Sequence, residues 1–449
     1  MTGDTGGNED KRAAPQPPDR GAGGGGRAMD VEHPEQPPAA AAERARTVPG
    51  MFGASRTVIA LYVLLIAYAS LYPLSGWRPA VAPFWSFMRW PPEGDLSRAD
   101  MFSNVLAYIP LGLLLAMHWR GNGRTGWAGV LCATLGGAFL SLAMETLQQY
   151  LPTRTPSAVD LLTNTLGTWM GAVSCHWAHG EANFAARLRG MRERWCADSP
   201  VANGGLLALA VWALSQLSPF VPWFDLRSVR RTLRGIWLVL EQPARFDVAL
   251  ATVYGASLLG LGLLAVTLMR PGRRALPLFA IAASGTLFLK MFIVGRTLSP
   301  EALAGLLAAL VLLQASRGLA GRRAAWAALV VTVGGFAFSE LMPLRGFTHP
   351  FNWIPFAGEI RSNVDGFATI LGGLWPFVAL GYLANVLAPA PWRLQVRMGG
   401  ALLVLVTTAL LEWGQAWIPG RHGDITTVLL ALAGWLIAWH WTEGAAQRS

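Results

Sequence analysis

The stretch Glu145-Thr146-Leu147-Gln148-Gln149-Tyr150-Leu151-Pro152-Thr153-Arg154 has a counterpart about 267 positions later, Glu412-Trp413-Gly414-Gln415-Ala416-Trp417-Ile418-Pro419-Gly420-Arg421. Both read Glu, two residues, Gln, one residue, an aromatic, an aliphatic, Pro, one residue, Arg. Each stretch ends a long apolar run and is followed by another. Because polar groups at a membrane boundary are costly without partners, we interpret the doubled set as the best pointer to functional residues.

The composition predicts an all-α fold, a polytopic transmembrane helical bundle. The chain has 449 residues, of which 53% are hydrophobic and only 14% are charged, whereas a soluble domain carries roughly a quarter charged residues. No alternating pattern favours a β-barrel. The apolar runs predict about twelve helices, at 55–73, 101–119, 127–147, 158–178, 202–222, 247–269, 275–295, 299–316, 324–342, 364–388, 397–418 and 424–441.

The positive charge predicts a topology. The formal net charge is +10, but most arginines lie in every second loop between apolar runs, so positive-inside orientation explains them better than nucleic-acid binding does. We therefore expect no nucleic-acid partner, both termini in the cytoplasm and both motifs at the outer face. Residues 224–246 disagree, because they are basic on the predicted outer side. Arg227, Arg230, Arg231 and Arg234 share one helical face, which indicates an amphipathic helix on the outer surface or a miscounted span.

The repeat extends beyond the two motifs. Residues 70–77 resemble residues 340–347, and Pro110 pairs with Pro376. Helices 1–4 and 9–12 therefore look like two copies of one module. Corresponding helices are eight apart, an even number, so the repeat is parallel. The predicted organisation is a disordered cytoplasmic tail, a first module, a basic cytoplasmic loop, a central four-helix region, a degenerate second module and a short cytoplasmic tail, at 1–49, 55–178, 179–200, 201–318, 324–441 and 442–449.

The motif chemistry allows two interpretations. Glu145, Gln148 and Gln149 share a helical face, the Pro ends the helix, and Arg154 lies near exposed carbonyls. An architectural role would pair the Glu with the Arg and use the following Asp as a helix cap. A ligand-binding role would offer the guanidinium to phosphate or carboxylate, and the Glu to hydroxyl, amine or proton. The candidate ligand-binding residues are Glu145, Gln148, Gln149, Arg154, Asp160, Asn164, Glu412, Gln415, Arg421 and Asp424.

These residues carry a resemblance to the VanZ-like family of bacterial membrane proteins. The resemblance covers about 55–178, with a degenerate copy over 324–441 in which Asn164 corresponds to Val428 and Gly167 to Ala431. The order and spacing of the matching residues hold over some seventy residues. The resemblance implies a multi-pass protein of the bacterial cytoplasmic membrane. The residues that carry it are Asn104-Val105-Leu106-Ala107-Tyr108-Ile109-Pro110-Leu111-Gly112, Glu145, Gln148 or Gln149, Arg154, Asp160, Asn164, Gly167 and Gly171.

The family takes its name from a protein linked to reduced sensitivity to the glycopeptide teicoplanin, and related proteins are associated with envelope and exopolysaccharide systems. The resemblance brings no catalytic mechanism. We therefore expect a non-enzymatic protein that contacts membrane lipids and binds a lipid-linked precursor or a glycopeptide-like antibiotic at its outer face, without cofactor or metal. A transporter or flippase is the first alternative, and an intramembrane acid/base enzyme acting on a lipid headgroup is the second.

Overall fold

A computed structural model describes residues 56–80, 83, 85–88, 98–124, 126–180, 190–221, 226–270, 272–342, 346–361 and 365–440. The tails predicted at 1–49 and 442–449 lie outside the described residues. The described part is all-helical, as predicted. Its α-helices are α1 (Arg56–Leu71), α2 (Arg98–Gly121), α3 (Gly126–Gln148), α4 (Ala158–Gly180), α5 (Ala202–Leu217), α6 (Leu226–Glu241), α7 (Val248–Leu268), α8 (Ala275–Lys290), α9 (Pro300–Ala315), α10 (Gly321–Leu341), α11 (Ala357–Arg361), α12 (Gly366–Leu387), α13 (Arg393–Gln415) and α14 (Ile425–Ala438).

The lengths and apolar compositions of these helices indicate a polytopic membrane protein. Six helices of the described part are long and apolar enough to cross a bilayer, and five shorter helices are also apolar. Helices suit this environment because each satisfies its own backbone hydrogen bonds. The basic segment predicted to be amphipathic is helical as α6, with Arg230, Arg231 and Arg234 exposed.

Helices α1–α4 pack into one bundle in which α2 and α4 make the closest contact. A Cβ atom at Gly167 would clash with the carbonyl oxygen of Val105, and one at Gly171 would clash with that of Ile109. Small residues let membrane helices approach in this way. The close approach fixes which residues of α2 face which residues of α4.

Helices α10 and α12–α14 repeat this arrangement and correct the predicted register. Gly434 of α14 meets the carbonyl oxygen of Leu374 on α12, as Gly167 meets that of Val105. Gly167 therefore corresponds to Gly434, not to Ala431, and Asn164 corresponds to Ala431, not to Val428. When α2 and α12 are aligned by the same contacts, Pro110 and Pro376 are offset by almost one helical turn and do not correspond. The prediction placed α14 one turn out because it paired the two following aspartates by their order in the chain.

The central helices join the second copy in one apolar core. Buried leucines of α7 and small residues of α9 pack with Val378 and Leu383 of α12. Arg296, before α9, pairs with Asp365 at 3.2 Å, just before α12.

The two copies meet at the end of the bundle that bears the motifs. The hydroxyl of Tyr68, near the C-terminal end of α1, donates a hydrogen bond to the carbonyl oxygen of Pro355 at 2.6 Å. Pro355 follows Asn352, whose N–H donates to Gly423 in the second hairpin. Both motifs therefore lie at one end of the molecule, which we call the motif end.

Candidate functional site

The motif glutamates are buried and accept hydrogen bonds from the start of the next helix. The backbone N–H of Ser157 donates to the Oε2 of Glu145 at 2.9 Å. The backbone N–H of Asp424 donates to the Oε2 of Glu412 at 2.8 Å. Each glutamate thus ties α3 or α13 to the helix that follows it.

The motif glutamines reach the helix that opens each copy. The Nε2 of Gln148 donates to the carbonyl oxygen of Ser70 at 3.0 Å, at the end of α1. The Nε2 of Gln415 donates to the Oε2 of Glu340 at 2.6 Å, at the end of α10. The second glutamine therefore bonds a carboxylate where the first bonds a carbonyl.

Arg154 caps the C-terminal end of α1. Its Nη2 and Nε donate to the carbonyl oxygens of Ala69 and Tyr72, at 2.8 and 2.9 Å. Burial lowers the pKa of the Arg154 guanidinium and the nearby Glu145 opposes that shift, so the group stays charged, as arginine does in proteins. A cation here also complements the negative end of the helix dipole.

Arg421 does the same for α10. It donates to the carbonyl oxygens of Ser339 and Met342, the latter at 3.0 Å. Its Nη1 also lies 3.8 Å from the Oε2 of Glu340. Both motif arginines thus donate through their Nε and Nη2 atoms to two backbone carbonyls, which favours the architectural interpretation of the doubled motif over capture of phosphate.

Of the two aspartates predicted to cap the next helix, Asp424 does so and Asp160 does not. Asp424 caps α14, because its Oδ1 accepts from the backbone N–H of Thr426 at 2.7 Å. In the first copy that position belongs to Ser157, whose Oγ accepts from the N–H of Val159 at 3.1 Å. Asp160 lies inside the first turn of α4 and is not the cap. Ser157 was missed because serine and aspartate both cap helices and the sequence offered both.

The first copy holds a buried polar cluster that reaches beyond its motif. The Nδ2 of Asn164 donates to the Oγ of Ser141 at 2.9 Å. Tyr108 lies beside Ser141, and Glu145 is near enough to Tyr108 to affect its charge. We call Tyr108, Ser141, Glu145 and Asn164 the first-copy polar cluster. Its residues come from three helices, α2, α3 and α4.

Two acids lie at the rim of this cluster. Asp160 is within hydrogen-bonding range of the Asn104 side chain and close enough to Asp100 for repulsion. Asp160 and Asn104 stand one helical turn from Asn164 and Tyr108 respectively, toward the motif end. Gln149 follows the last residue of α3 and lies in the turn. The predicted residues Glu145, Asp160 and Asn164 are therefore neighbours, with Gln148 and Arg154 beside them in the hairpin.

Tyr108 and Ser141 were not among the predicted site residues. Each looks like an isolated polar residue in an apolar run. The signal that finds them is spacing, because each lies four residues from a polar residue of its own helix, Asn104 and Glu145.

The second copy keeps the hairpin contacts but not the cluster. By the register of the glycine contacts, hydrocarbon replaces the phenol and the amide, and only a hydroxyl bonded to its own helix remains at the serine position. The counterparts of Tyr108, Ser141 and Asn164 are Phe377, Thr408 and Ala431.

A cavity of about 320 Å³ adjoins the second motif instead. It lies between α7, α10, α11, α12 and α14, toward the motif end, and it reaches Glu340, which Gln415 and Arg421 contact. We call it the motif-end cavity. Its lining residues are Val253, Ser257, Thr332, Gly335, Phe336, Ser339, Glu340, Glu359, Thr369, Gly372, Gly373, Trp375, Pro376, Thr427 and Leu430.

The motif-end cavity is acidic. The Oε2 of Glu359 is buried and has no hydrogen-bond partner among the described residues. Burial, with Asp424 nearby, raises the pKa of the Glu359 carboxyl. Among the residues that line the cavity, the charged ones are Glu340 and Glu359. A cationic or hydroxyl-bearing group would complement this lining better than phosphate would.

The described residues contain no group of three or more His, Cys, Asp or Glu side chains able to hold a metal ion. The absence of a metal from the site stays a prediction.

Comparison with known proteins identifies one family. The VanZ/LLP1 family model matches residues 58–179, which is the region of α1–α4. Searches of curated proteins and of solved structures found no match.

Proposed function

Because residues 58–179 form a VanZ-like domain in a polytopic membrane protein, we propose that the protein binds the polar part of an amphiphilic cell-envelope ligand, without chemistry, at its motif end. The ligand class is a lipid-linked precursor or a glycopeptide-like antibiotic, and the motif end is the outer face of the bacterial cytoplasmic membrane.

The motif-end cavity is the observation that supports this proposal. Its volume of about 320 Å³ lies at the lower end of the range for small-molecule sites, about 300–1,000 Å³. A space of that size accepts a headgroup or one sugar ring, and the rest of a larger ligand would stay outside. An amphiphile meets this requirement, because its apolar part remains in the lipid next to the cavity.

The lining favours an amine or a polyol. Glu340 and Glu359 accept hydrogen bonds, and the hydroxyls of Ser257, Thr369 and Thr427 can donate or accept. An ammonium group near Glu359 would supply the hydrogen bond that its buried Oε2 lacks among the described residues. Arg421 then acts by holding the end of α10, which forms one wall of the cavity.

Gly372 offers a direct test. A Cβ atom there meets no other atom within 4 Å, although the residue lines the cavity. Gly372→Leu therefore adds apolar volume at the wall of the cavity from a position where the backbone leaves room for a Cβ atom. Gly399→Leu is the matched control, because Gly399 also has open space around it and is exposed on α13.

The measurement is native mass spectrometry of the full chain, looking for a lipid or glycan that co-purifies. We expect an adduct on the unmodified protein and on Gly399→Leu, and its loss on Gly372→Leu. An adduct that persists on folded Gly372→Leu would remove the cavity from the proposal.

A transporter is the second candidate, because the cavity lies between α7, from the central region, and helices of the second copy. Relative movement of those elements would change access to it. Movement of a labelled lipid-linked precursor across proteoliposomes, abolished by Gly372→Leu but not by Gly399→Leu, would favour transport over binding alone.

A further inference from the structure

We propose that the first-copy polar cluster, made by Tyr108, Ser141, Glu145 and Asn164, is a binding site for a monovalent inorganic cation. This site is separate from the motif-end cavity, which belongs to the second copy.

The first argument is that its oxygen atoms are short of partners. The Oδ1 of Asn164 makes no hydrogen bond among the described residues, and the hydroxyl of Tyr108 has only a contact with Ser141 that falls short of standard hydrogen-bond geometry. Both residues are buried, with 5% and 3% of their surface exposed. A buried polar atom without a partner costs free energy, so such atoms in native proteins indicate a group that they bind.

The second argument is the direction from which these groups come. Asn164 is held against Ser141 by its Nδ2, and the Tyr108 side chain also adjoins Ser141. Ser141 has no exposed surface, and Glu145 follows it by one turn of α3. Side chains from α2, α3 and α4 therefore bring oxygen atoms close together, and oxygen is the ligand that hard cations prefer.

The third argument concerns charge. Glu145 is the one carboxylate inside the cluster, and its nearest cation, Arg154, is committed to carbonyls of α1. Asp100 and Asp160 at the rim add negative charge along the way in from the motif end. A single buried carboxylate with neutral oxygens suits a cation of charge +1 better than a divalent ion, and the described part of the chain contains no group of three acidic, cysteine or histidine side chains able to hold a metal.

The position is consistent with entry from the motif end. Ser141 lies seven residues before the end of α3, which is about 10 Å at 1.5 Å per residue.

The second copy provides the design of the test. It places Phe377 and Ala431 where the first copy has Tyr108 and Asn164, and it packs in the same way. Tyr108→Phe and Asn164→Ala therefore copy side chains that this fold already accommodates. Thr408→Ala, at the counterpart of Ser141, is the matched control in the second copy.

The experiment measures the Tm of the purified full chain in detergent while NaCl or KCl replaces choline chloride at constant ionic strength, together with binding of radioactive sodium. We expect one of the two salts to raise the Tm saturably, with about one ion bound per chain. Asn164→Ala should lower the affinity for that ion at least about tenfold, a loss of about 1.4 kcal/mol. Tyr108→Phe should also lower this affinity, and Thr408→Ala should leave it unchanged.

Two results would overturn the proposal. One is a wild-type Tm that responds equally to NaCl, KCl and choline chloride, without saturable sodium binding. The other is an ion effect that both first-copy variants retain in full, which would place the ion elsewhere. The first result needs only the wild-type protein, so the proposal can be refuted even if a variant fails to fold.

Discussion

The guanidinium of Arg154 donates to the carbonyl oxygen of Tyr72 at 2.9 Å, and that of Arg421 donates to the carbonyl oxygen of Met342 at 3.0 Å. These are equivalent contacts at the ends of α1 and α10. The last carbonyls of a helix have no partner within it, so a buried helix end needs an outside donor. The doubled motif supplies that donor twice.

Arg154→Ala should therefore destabilise the protein. It leaves the carbonyls of Ala69 and Tyr72 without this donor and removes the cation nearest Glu145, so we expect a loss of about 2–4 kcal/mol. Arg154→Lys should recover only part of it, because one ammonium cannot match the planar guanidinium. Thermal unfolding in detergent measures both, with the exposed Arg194→Ala as control. Equal Tm values for Arg154→Ala and Arg194→Ala would contradict the capping role.

Gly167→Ala and Gly434→Ala should both strongly destabilise the folded protein. Each added methyl group would meet a backbone carbonyl, of Val105 or Leu374, that cannot rotate away. Overpacking of this kind costs about 1–3 kcal/mol or more. Gly285→Ala in α8 meets open space and should be neutral or slightly stabilising. Unfolding in denaturant ranks the three variants, and if Gly434→Ala behaved like Gly285→Ala, the second copy would not pack as described.

Glu359→Gln should raise stability in a pH-dependent way. The pKa of Glu359 is raised in the folded protein, so folding favours its protonated form. That contribution is present below the ordinary glutamate pKa of about 4.3 and is lost as the pH rises through the folded pKa. The neutral glutamine should therefore increase the Tm near pH 8 and change it little near pH 4. An increase of the same size at both values would rule out titration of Glu359 as its cause.

Glu340→Gln should lower the affinity of the motif-end cavity for its ligand. Glu340 accepts from Gln415 at 2.6 Å and lies 3.8 Å from Arg421, so a neutral amide keeps the shape of the wall but removes its charge. For a cationic headgroup we expect at least about a tenfold loss of affinity, or about 1.4 kcal/mol. Titration of detergent-solubilised protein with an amine-bearing amphiphile and with its hydroxyl analogue separates charge from shape. Equal loss for both ligands would indicate a change of shape.

The sequence predicted the helices and the place of the motifs well, because apolar runs and Pro-terminated hairpins are local signals. It did not predict the partners of Gln148 and Arg154, which are backbone carbonyls of α1 some 80 residues away. Every residue has a backbone carbonyl, so the sequence does not show which carbonyl accepts a hydrogen bond. The shift of three positions from Ser157 to Asp160 was enough to misplace the register of α14.

The candidate site was only partly predictable for a related reason. Glu145 and Asn164 stand out as polar residues in apolar runs, whereas Tyr108 and Ser141 resemble ordinary membrane residues. The motif-end cavity is formed by helices far apart in the chain, and Ser257 and Glu359 carry no motif. Only the packing of α7 against the second copy reveals them.

The central claim is that both hairpins open at the same, non-cytoplasmic face. Single cysteines at Thr153 and His422, both exposed, in a background that lacks Cys132, Cys175 and Cys196, test it in intact cells with a membrane-impermeant maleimide. A cysteine at Arg194 serves as the cytoplasmic control. The account predicts labelling at 153 and 422 and none at 194 until the cells are opened. Labelling of 153 and 422 from opposite sides of the membrane, or of neither in intact cells, would contradict it.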